Sequence, residues 1–516
     1  MTGTSTLGDK TSQGSVAKQQ SVHPREDGPC EARPQTVFFA VSPTTTDRSS
    51  VGQVAVDMLP DEVLLEIFDF CKADPMDLRD LSTFNSTWMM LIQVCRRWRH
   101  IVFGSPRRLD LRLVLTDITP TRRRSLDIWP PIPITILSIP PDPMYGVDNI
   151  IAALEHRDRT SHIYISHMNG SAIEKLIAAM QEPFPMLESC VLDSIDEPVP
   201  VLPETFLGGS APLLQSFTLL GIPFPTFPKF ILSATHIVRL ELFNIPTSGY
   251  ISPDVMATCL SALPLLKSLS IGFRFLPSPP LHVSLPPLTC AVLPALTRLT
   301  FGGKIEYFED FVARIDTPQL EQLTMTFFMD PTIDIPRLRD FIGLIERLKP
   351  FNHARLEVSR WAIKIKFGSP GRVKLKIQCE TLDRPSSMTQ SFSRPPPLLP
   401  HVEQLEICES PWHPREWIDD PVMGSSLWLE LLHFFVAVQD LYVSEKLLPP
   451  VSATLQELTG ERTMEVLPAL RNLSLEGLQP FGPVEEAIKS FVASRELSDH
   501  PVVVQAWERR SSPVSV

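Results

Sequence analysis

The sequence predicts an α/β protein: a small all-helical unit followed by an irregular solenoid of parallel strands and helices. Three observations carry that expectation. Residues 58–103 hold two apolar runs with helical spacing. From Leu187 to Leu470 the pattern Φ-x-x-Φ-x-Φ, with Φ apolar, returns nine times, each copy short enough for one strand. Between copies lie segments with the helical apolar period, so strand and helix alternate.

Residues 1–52 are rich in Ser, Thr, Gln, Lys and Gly and hold few apolar groups. Such a segment cannot offset the entropy of ordering and is expected to be a disordered tail. The helical unit, 53–106, follows. Pro60 suits a first helical position, where its missing N–H would be unpaired anyway, and Asp61 and Glu62 complement the helix dipole. Val63, Leu64, Ile67, Phe68 and Cys71 then recur at offsets of three and four, which predicts one apolar face. Leu91, Val94, Cys95, Trp98, Ile101 and Val102 keep the same spacing, with Arg96, Arg97, Arg99 and His100 on the other side. A unit this small cannot enclose so much apolar surface alone, so a partner is expected.

Leu59, Pro60, Glu62, Ile67 and Phe68, then Val94, Cys95, Trp98, Arg99 and Ile101, resemble the F-box, a three-helix motif. The resemblance implies docking onto a Skp-type adaptor of a cullin–RING ubiquitin ligase, with the rest of the chain choosing the target. It implies Leu59, Pro60, Ile67, Val94, Cys95 and Trp98 as adaptor-binding residues, Trp98 as either contact or internal core. The interval 72–87 is longer than the family minimum, so the middle of the docking surface is expected to be rearranged. The bare periodicity also fits a helical cap on the following domain, although SPRRLDLRLVLT offers that domain a first strand of its own.

The second domain is expected over 107–498. Its pattern starts at Leu187, Leu214, Ile237, Leu266, Leu296, Leu320, Val402, Val438 and Leu470, often with Pro two positions earlier. A weaker tenth unit begins at His353. The first six starts are 27, 23, 29, 30 and 24 residues apart, room for one strand, one loop and one return helix. Return helices are predicted over 170–181 and from Asp254, Tyr307, Arg337 and Ser426. The alternation resembles leucine-rich repeats, and the chain as a whole resembles fungal F-box proteins with degenerate repeats of that kind. The usual asparagine after the strand is missing, so regular curvature is not expected. In such a strand the Φ positions face inward and the alternate ones outward. That singles out Arg239, Glu241, Phe243, Arg298, Arg355, Glu357, Gln404, Glu406, Asp440, Tyr442 and Glu476 as candidate target-binding residues.

One segment breaks the rhythm. WAIKIKFGSPGRVKLKIQ, 361–378, alternates, turns at Gly-Ser-Pro-Gly and alternates back, which predicts a hairpin insertion near 361–377. Lys364, Lys366, Arg372, Lys374 and Lys376 lie opposite its apolar residues. They read as a solvated strand face whose lysines protect an edge, or as a grip for an acidic or phosphorylated partner. Further on, 388–400 reads as a stiff proline-rich connection, and Trp412 and Trp417 as an interaction anchor or as packing over a repeat. GPVEEAIKSFVASREL predicts a terminal capping helix, and 499–516 a flexible tail.

Composition narrows the function. A net charge of −12 argues against general nucleic-acid affinity, which needs clustered cations. No run of 18 apolar residues predicts a membrane span. Eight cysteines without a C-x-x-C pair make a disulfide frame or zinc site improbable and suggest a reducing compartment, cytoplasm or nucleus. No G-x-S-x-G, H-E-x-x-H or kinase set is present, and Gly302-Gly303-Lys304 lacks the remaining P-loop residues. The expectation is a non-enzymatic receptor without cofactor or metal, which binds a Skp-type adaptor and an unidentified protein target. The alternatives are a repeat scaffold outside any ligase, or an enzyme whose site is assembled from distant residues.

Overall fold

The computed structural model of the chain describes residues 56–70, 81–106, 108–109, 111–115, 131–138, 147–196, 200–224, 229–274, 290–328, 336–349, 351–359, 362–368, 371–378, 399–409, 425–458, 460–478 and 482–508. The expected N-terminal tail, most of the proline-rich connection, and Trp412 and Trp417 lie outside the described residues. Two compact units divide the chain, 1–59 and 60–516. In the first, Val56–Met58 forms one 3-10 turn, closed by Leu59 N–H donating to the Val56 carbonyl at 3.2 Å.

The second unit opens with helices α1 (Asp61–Asp69), α2 (Leu81–Val94) and α3 (Arg96–Gly104). Strands β1 (Leu113–Leu115), β2 (Ile134–Ser138), β3 (Thr160–Met168), β4 (Ser189–Ser194), β5 (Ser216–Leu220), β6 (Arg239–Ile245) and β7 (Ser268–Phe273) follow. They pair in chain order and in parallel. The sheet continues through β9 (Arg298–Gly303) and β11 (Gln322–Phe328), while β8 (Ala291–Val292) and β10 (Ile315–Asp316) form a small parallel pair apart.

There chain order breaks. The next strands in sequence are β12 (His353–Ser359), β13 (Ala362–Phe367) and β14 (Val373–Gln378), and in space they follow β11 as β14, β13, β12. The predicted hairpin is therefore built into the interior of the sheet. Strand β13 is antiparallel to both neighbours, which lets β14 run parallel to β11. β12 then pairs in parallel with β15 (Gln404–Glu409), followed by β16 (Asp440–Val443), β17 (Asn472–Leu475) and β18 (Val503–Ala506). The sixteen-stranded sheet thus extends beyond residue 498, where a flexible tail was expected, because Val503–Ala506 pair with Asn472–Leu475.

The repeat has a local cause. In every one of the nine units the first Φ residue closes a tight turn: Leu187 N–H donates to Phe184, Leu214 to Ala211, Leu266 to Leu263 and Leu470 to Leu467, at 3.0–3.2 Å. The frequent proline takes the second position of that turn, as Pro185, Pro212, Pro264 and Pro468 do, where its fixed φ fits and no N–H is needed. The next residue then bonds to the preceding repeat, as when Gln215 N–H meets the Glu188 carbonyl at 2.8 Å and Val238 that of Gln215 at 2.8 Å. One six-residue pattern thus fixes both the turn and the strand register.

Helices cover one face of the sheet. Gly170–Ala179, Pro253–Leu260, Ile305–Val312, Pro336–Leu344 and Ser425–His433 occur where return helices were predicted, and Pro483–Leu497 is the terminal helix. They bury Ile173, Leu176, Met256, Leu260, Phe308 and Phe311 against strand residues such as Leu240, Leu242, Leu269 and Phe301. Phe301 stacks on Phe308 at 4.6 Å and meets Phe273 and Phe327 at 6.3 and 6.2 Å, a continuous aromatic layer. The opposite face carries the polar alternate residues.

Candidate functional site

Two surfaces combine geometry with chemistry: the helical unit and the open face of the sheet. In α1 the buried residues are Leu64, Leu65 and Phe68. Val63 and Ile67, expected on one apolar face with Leu64 and Phe68, are 40% and 41% exposed, and Phe70 is 90% exposed. The correction is one of phase: the 100° turn per residue brings Leu65 inward and carries Val63, Ile67 and Phe70 to a second apolar face.

The second apolar run is two helices, since α2 ends at Val94 and α3 starts at Arg96. Cys95 is the N-cap between them, extended in backbone, with its Sγ accepting from Trp98 N–H at 3.4 Å. The break frees carbonyls in the last turn of α2, and Arg99 Nε answers one of them, Ile92, at 3.0 Å. Trp98 is half-buried, its ring 4.8 Å from that of Phe68, which joins α3 to α1. Arg97 binds Asp61 with Nε at 3.0 Å and Nη2 at 2.6 Å across the same pair of helices. Trp88 lies against Phe103 at 6.3 Å and donates Nε1 to the Arg112 carbonyl at 3.3 Å, tying α2 to the start of the sheet. The cores of the three helices are thus closed, yet Met90 and Val94, four residues apart on α2, stay 59% and 60% exposed. Of the adaptor-binding candidates, Pro60, Ile67 and Val94 are exposed, while Cys95 and Trp98 are half-buried. Leu59, in the preceding unit, is also half-buried.

On the sheet, the target-binding candidates fall into two groups. Arg239, Glu241 and Phe243 of β6 and Arg298 of β9 flank β7, and the Thr218 hydroxyl donates to Glu241 at 3.2 Å. Arg355, Glu357, Gln404, Glu406, Asp440 and Tyr442 stand together on β12, β15 and β16, in register with one another. Glu476, just past β17, accepts the Glu445 N–H at 3.3 Å. Glu357 is buried beneath its neighbours, since Arg355 Nε lies 3.3 Å from it, Lys364 Nζ 3.8 Å, and Lys366 pairs with it too. Sequence reasoning separated Glu357 from those lysines; the antiparallel pairing of β12 with β13, signalled by the short link between them, brings them together. Trp507 was also missed: it lies 5.5 Å from Tyr442, in the segment read as a tail.

His162 on β3 is a half-buried titrating group of this face. Arg112 Nη1 lies 2.7 Å from its Nε2 and can only donate, so Nε2 accepts, and Nδ1 lies 3.0 Å from the Ser161 hydroxyl. Burial, then the Arg112 charge, lower its pKa to about 4, with Glu188 3.9 Å away on the exposed side. A histidine depressed in the fold is protonated first in the unfolded chain. Stability is therefore full above pH 6.5 and falls as pH drops toward about 4, by up to ~3 kcal/mol. Urea unfolding at pH 7.5 and 4.5 is expected to show that loss in the wild type and a smaller one in His162→Gln.

Among the described residues no group of His, Cys, Asp and Glu is placed to hold a metal ion, and no helix is long and apolar enough to cross a membrane. No curated protein matches the chain. Residues 56–111, which take in α1 to α3 and were expected as 53–106, match the family model described as F-box-like, and in that segment the chain is similar to F-box proteins.

Proposed function

We propose that this chain is the substrate-recognition subunit of a Skp–cullin–F-box ubiquitin ligase. The carrying observation is that the segment matching the F-box-like model leaves Val63, Ile67, Phe70, Met90 and Val94 exposed on helices whose cores are already closed. Apolar side chains at such spacing favour a docking partner over solvent. Leu59, Pro60, Ile67, Val94, Cys95 and Trp98 are the proposed contacts, and the partner is a Skp-type adaptor joined to a cullin. On this reading the parallel sheet is a degenerate leucine-rich-repeat-like solenoid whose open face holds a protein target, in the cytoplasm or nucleus. The chain itself does no covalent chemistry; it makes transfer of ubiquitin to a held target effectively intramolecular.

Affinity purification of the full chain in the presence of a Skp-type adaptor tests this. Recovery of adaptor and cullin together is the expected outcome. No recovery, under conditions where a known F-box protein retains the adaptor, sinks the reading and leaves a repeat scaffold outside any ligase.

A further inference from the structure

The open face of the sheet carries an unusual charge arrangement at its interior. In the β13–β14 pairing, Lys364 stands directly opposite Lys376 and Lys366 directly opposite Lys374. Like charges in direct cross-strand pairs destabilise a sheet, and these two pairs lie side by side. They do not guard an edge, because β14 is bonded to β11 on its outer side and β13 to β12. Arg355 shares a row with Lys366. Two carboxylates, Glu357 and Glu406, face these five cations, and both are already engaged with Arg355. Lys364 and Lys366 share Glu357, and among the described residues neither Lys374 nor Lys376 has an ion pair. The patch is left with three positive charges in excess. Burial and the neighbouring lysines hold Lys364 below the usual lysine pKa, a sign that their repulsion is felt.

The surroundings are shaped to receive something. Across β11, Thr324 faces Lys374 and Thr326 faces Lys376, adding two half-buried hydroxyls to the same rows. Beyond Thr326 the row continues through Gly302 and Gly272. A Cβ on Gly302 would meet nothing nearer than the Gly272 Cα at 3.6 Å, whereas one on Gly272 would press on Phe243 at 3.2 Å. The open face is therefore shallow at Gly302, with the Phe243 ring beside Gly272 on one bank and Thr326 and Lys376 on the other.

From this geometry we propose that Lys364, Lys366, Lys374 and Lys376, with Thr324 and Thr326, bind a phosphorylated residue in an extended segment of the target protein. Strand spacing and rise set the four lysine Cα atoms at the corners of a rectangle about 5 by 7 Å. An extended segment presents one or two side chains to so small an area, and each carboxylate would bring one charge. One phosphoryl group brings about two, with three acceptor oxygens for ammonium and hydroxyl donors. The lack of a side chain at Gly302, in the row of Lys376 and Thr326, gives the adjoining backbone room to approach.

The inference rests on the reading of the chain as a substrate receptor, and its test is run without adaptor so that the two can fail separately. The full chain is immobilised and offered a degenerate phosphoserine and phosphothreonine peptide pool, the unphosphorylated pool and a pool with Glu at the same position. Retention of the phosphorylated pool alone is expected, falling by roughly tenfold or more in Lys374→Gln/Lys376→Gln. It should persist in Lys374→Arg/Lys376→Arg. The Gln variant is also expected to melt no lower than wild type, since a repulsion has been removed, and its adaptor recovery should be unchanged. Equal retention of all pools, equal retention of the Glu pool, undiminished retention by the Gln variant, or competition by bulk RNA at equal charge would each overturn the assignment.

Discussion

Ile67→Glu combined with Val94→Glu is expected to abolish recovery of the adaptor, by roughly a hundredfold or more, while leaving the melting temperature within a degree or two of wild type. The two side chains are 41% and 60% exposed, so neither contributes to the closed core of the helices. In a docked complex each would have to place a carboxylate into an apolar contact, and the desolvation of two charges costs several kcal/mol. Phe68→Ala supplies the contrast: Phe68 is 1% exposed and its ring meets Trp98 at 4.8 Å, so this variant should lose about 3–5 kcal/mol of stability through a cavity. A charged double variant that still retains the adaptor at wild-type levels would remove this face from the docking surface.

Arg495→Met should be the most destabilising change in the C-terminal region. Arg495 is fully buried in the last helix, and its guanidinium donates to the carbonyls of Leu467 at 2.8 Å, Thr463 at 3.3 Å and Leu470 at 3.4 Å. It also lies 5.6 Å over the Phe491 ring. Leu467 adopts a left-handed φ of 50°, which a leucine tolerates only when its surroundings hold it there. Methionine keeps most of the volume but leaves the carbonyls unanswered, an expected loss of about 3–5 kcal/mol. Urea unfolding measures it, and amide exchange should speed up in β17 and β18 before the rest of the sheet. A loss below about 1 kcal/mol would show that water replaces the guanidinium without penalty.

Much of this architecture can be traced to short-range chemistry. The nine strand units were visible because each pairs a tight turn, often seeded by proline, with alternating apolar residues, and both act within six residues. Helix positions such as 170–179 and 305–312 followed from apolar periodicity for the same reason. The failures are non-local. The division of the apolar residues of α1 into a buried and an exposed face is not local, because Phe68 is fixed against Trp98 of α3 and Leu64 and Leu65 are buried beside it. The place of β14 beside β11 depends on residues far apart in the chain, and no local pattern at Val373 announces Leu323 as its partner. The candidate residues on the open face are legible as outward-facing, yet the crowding of Glu357 by Lys364 and Lys366 follows only from the antiparallel pairing of β12 with β13.

The reversed trio of strands also bears on how the chain assembles as it is made. Up to β11 each new strand of the large sheet can add to the large-sheet strand before it, with β8 and β10 set aside as their own pair. β12 cannot add there, because the place next to β11 belongs to β14, which has not yet been synthesised. The edge of β11 can be filled only once residues up to Gln378 are present, because β14 is the strand that pairs with it. The four lysines ride on the two strands that close that gap, so the patch comes into being only when the two halves of the sheet have met.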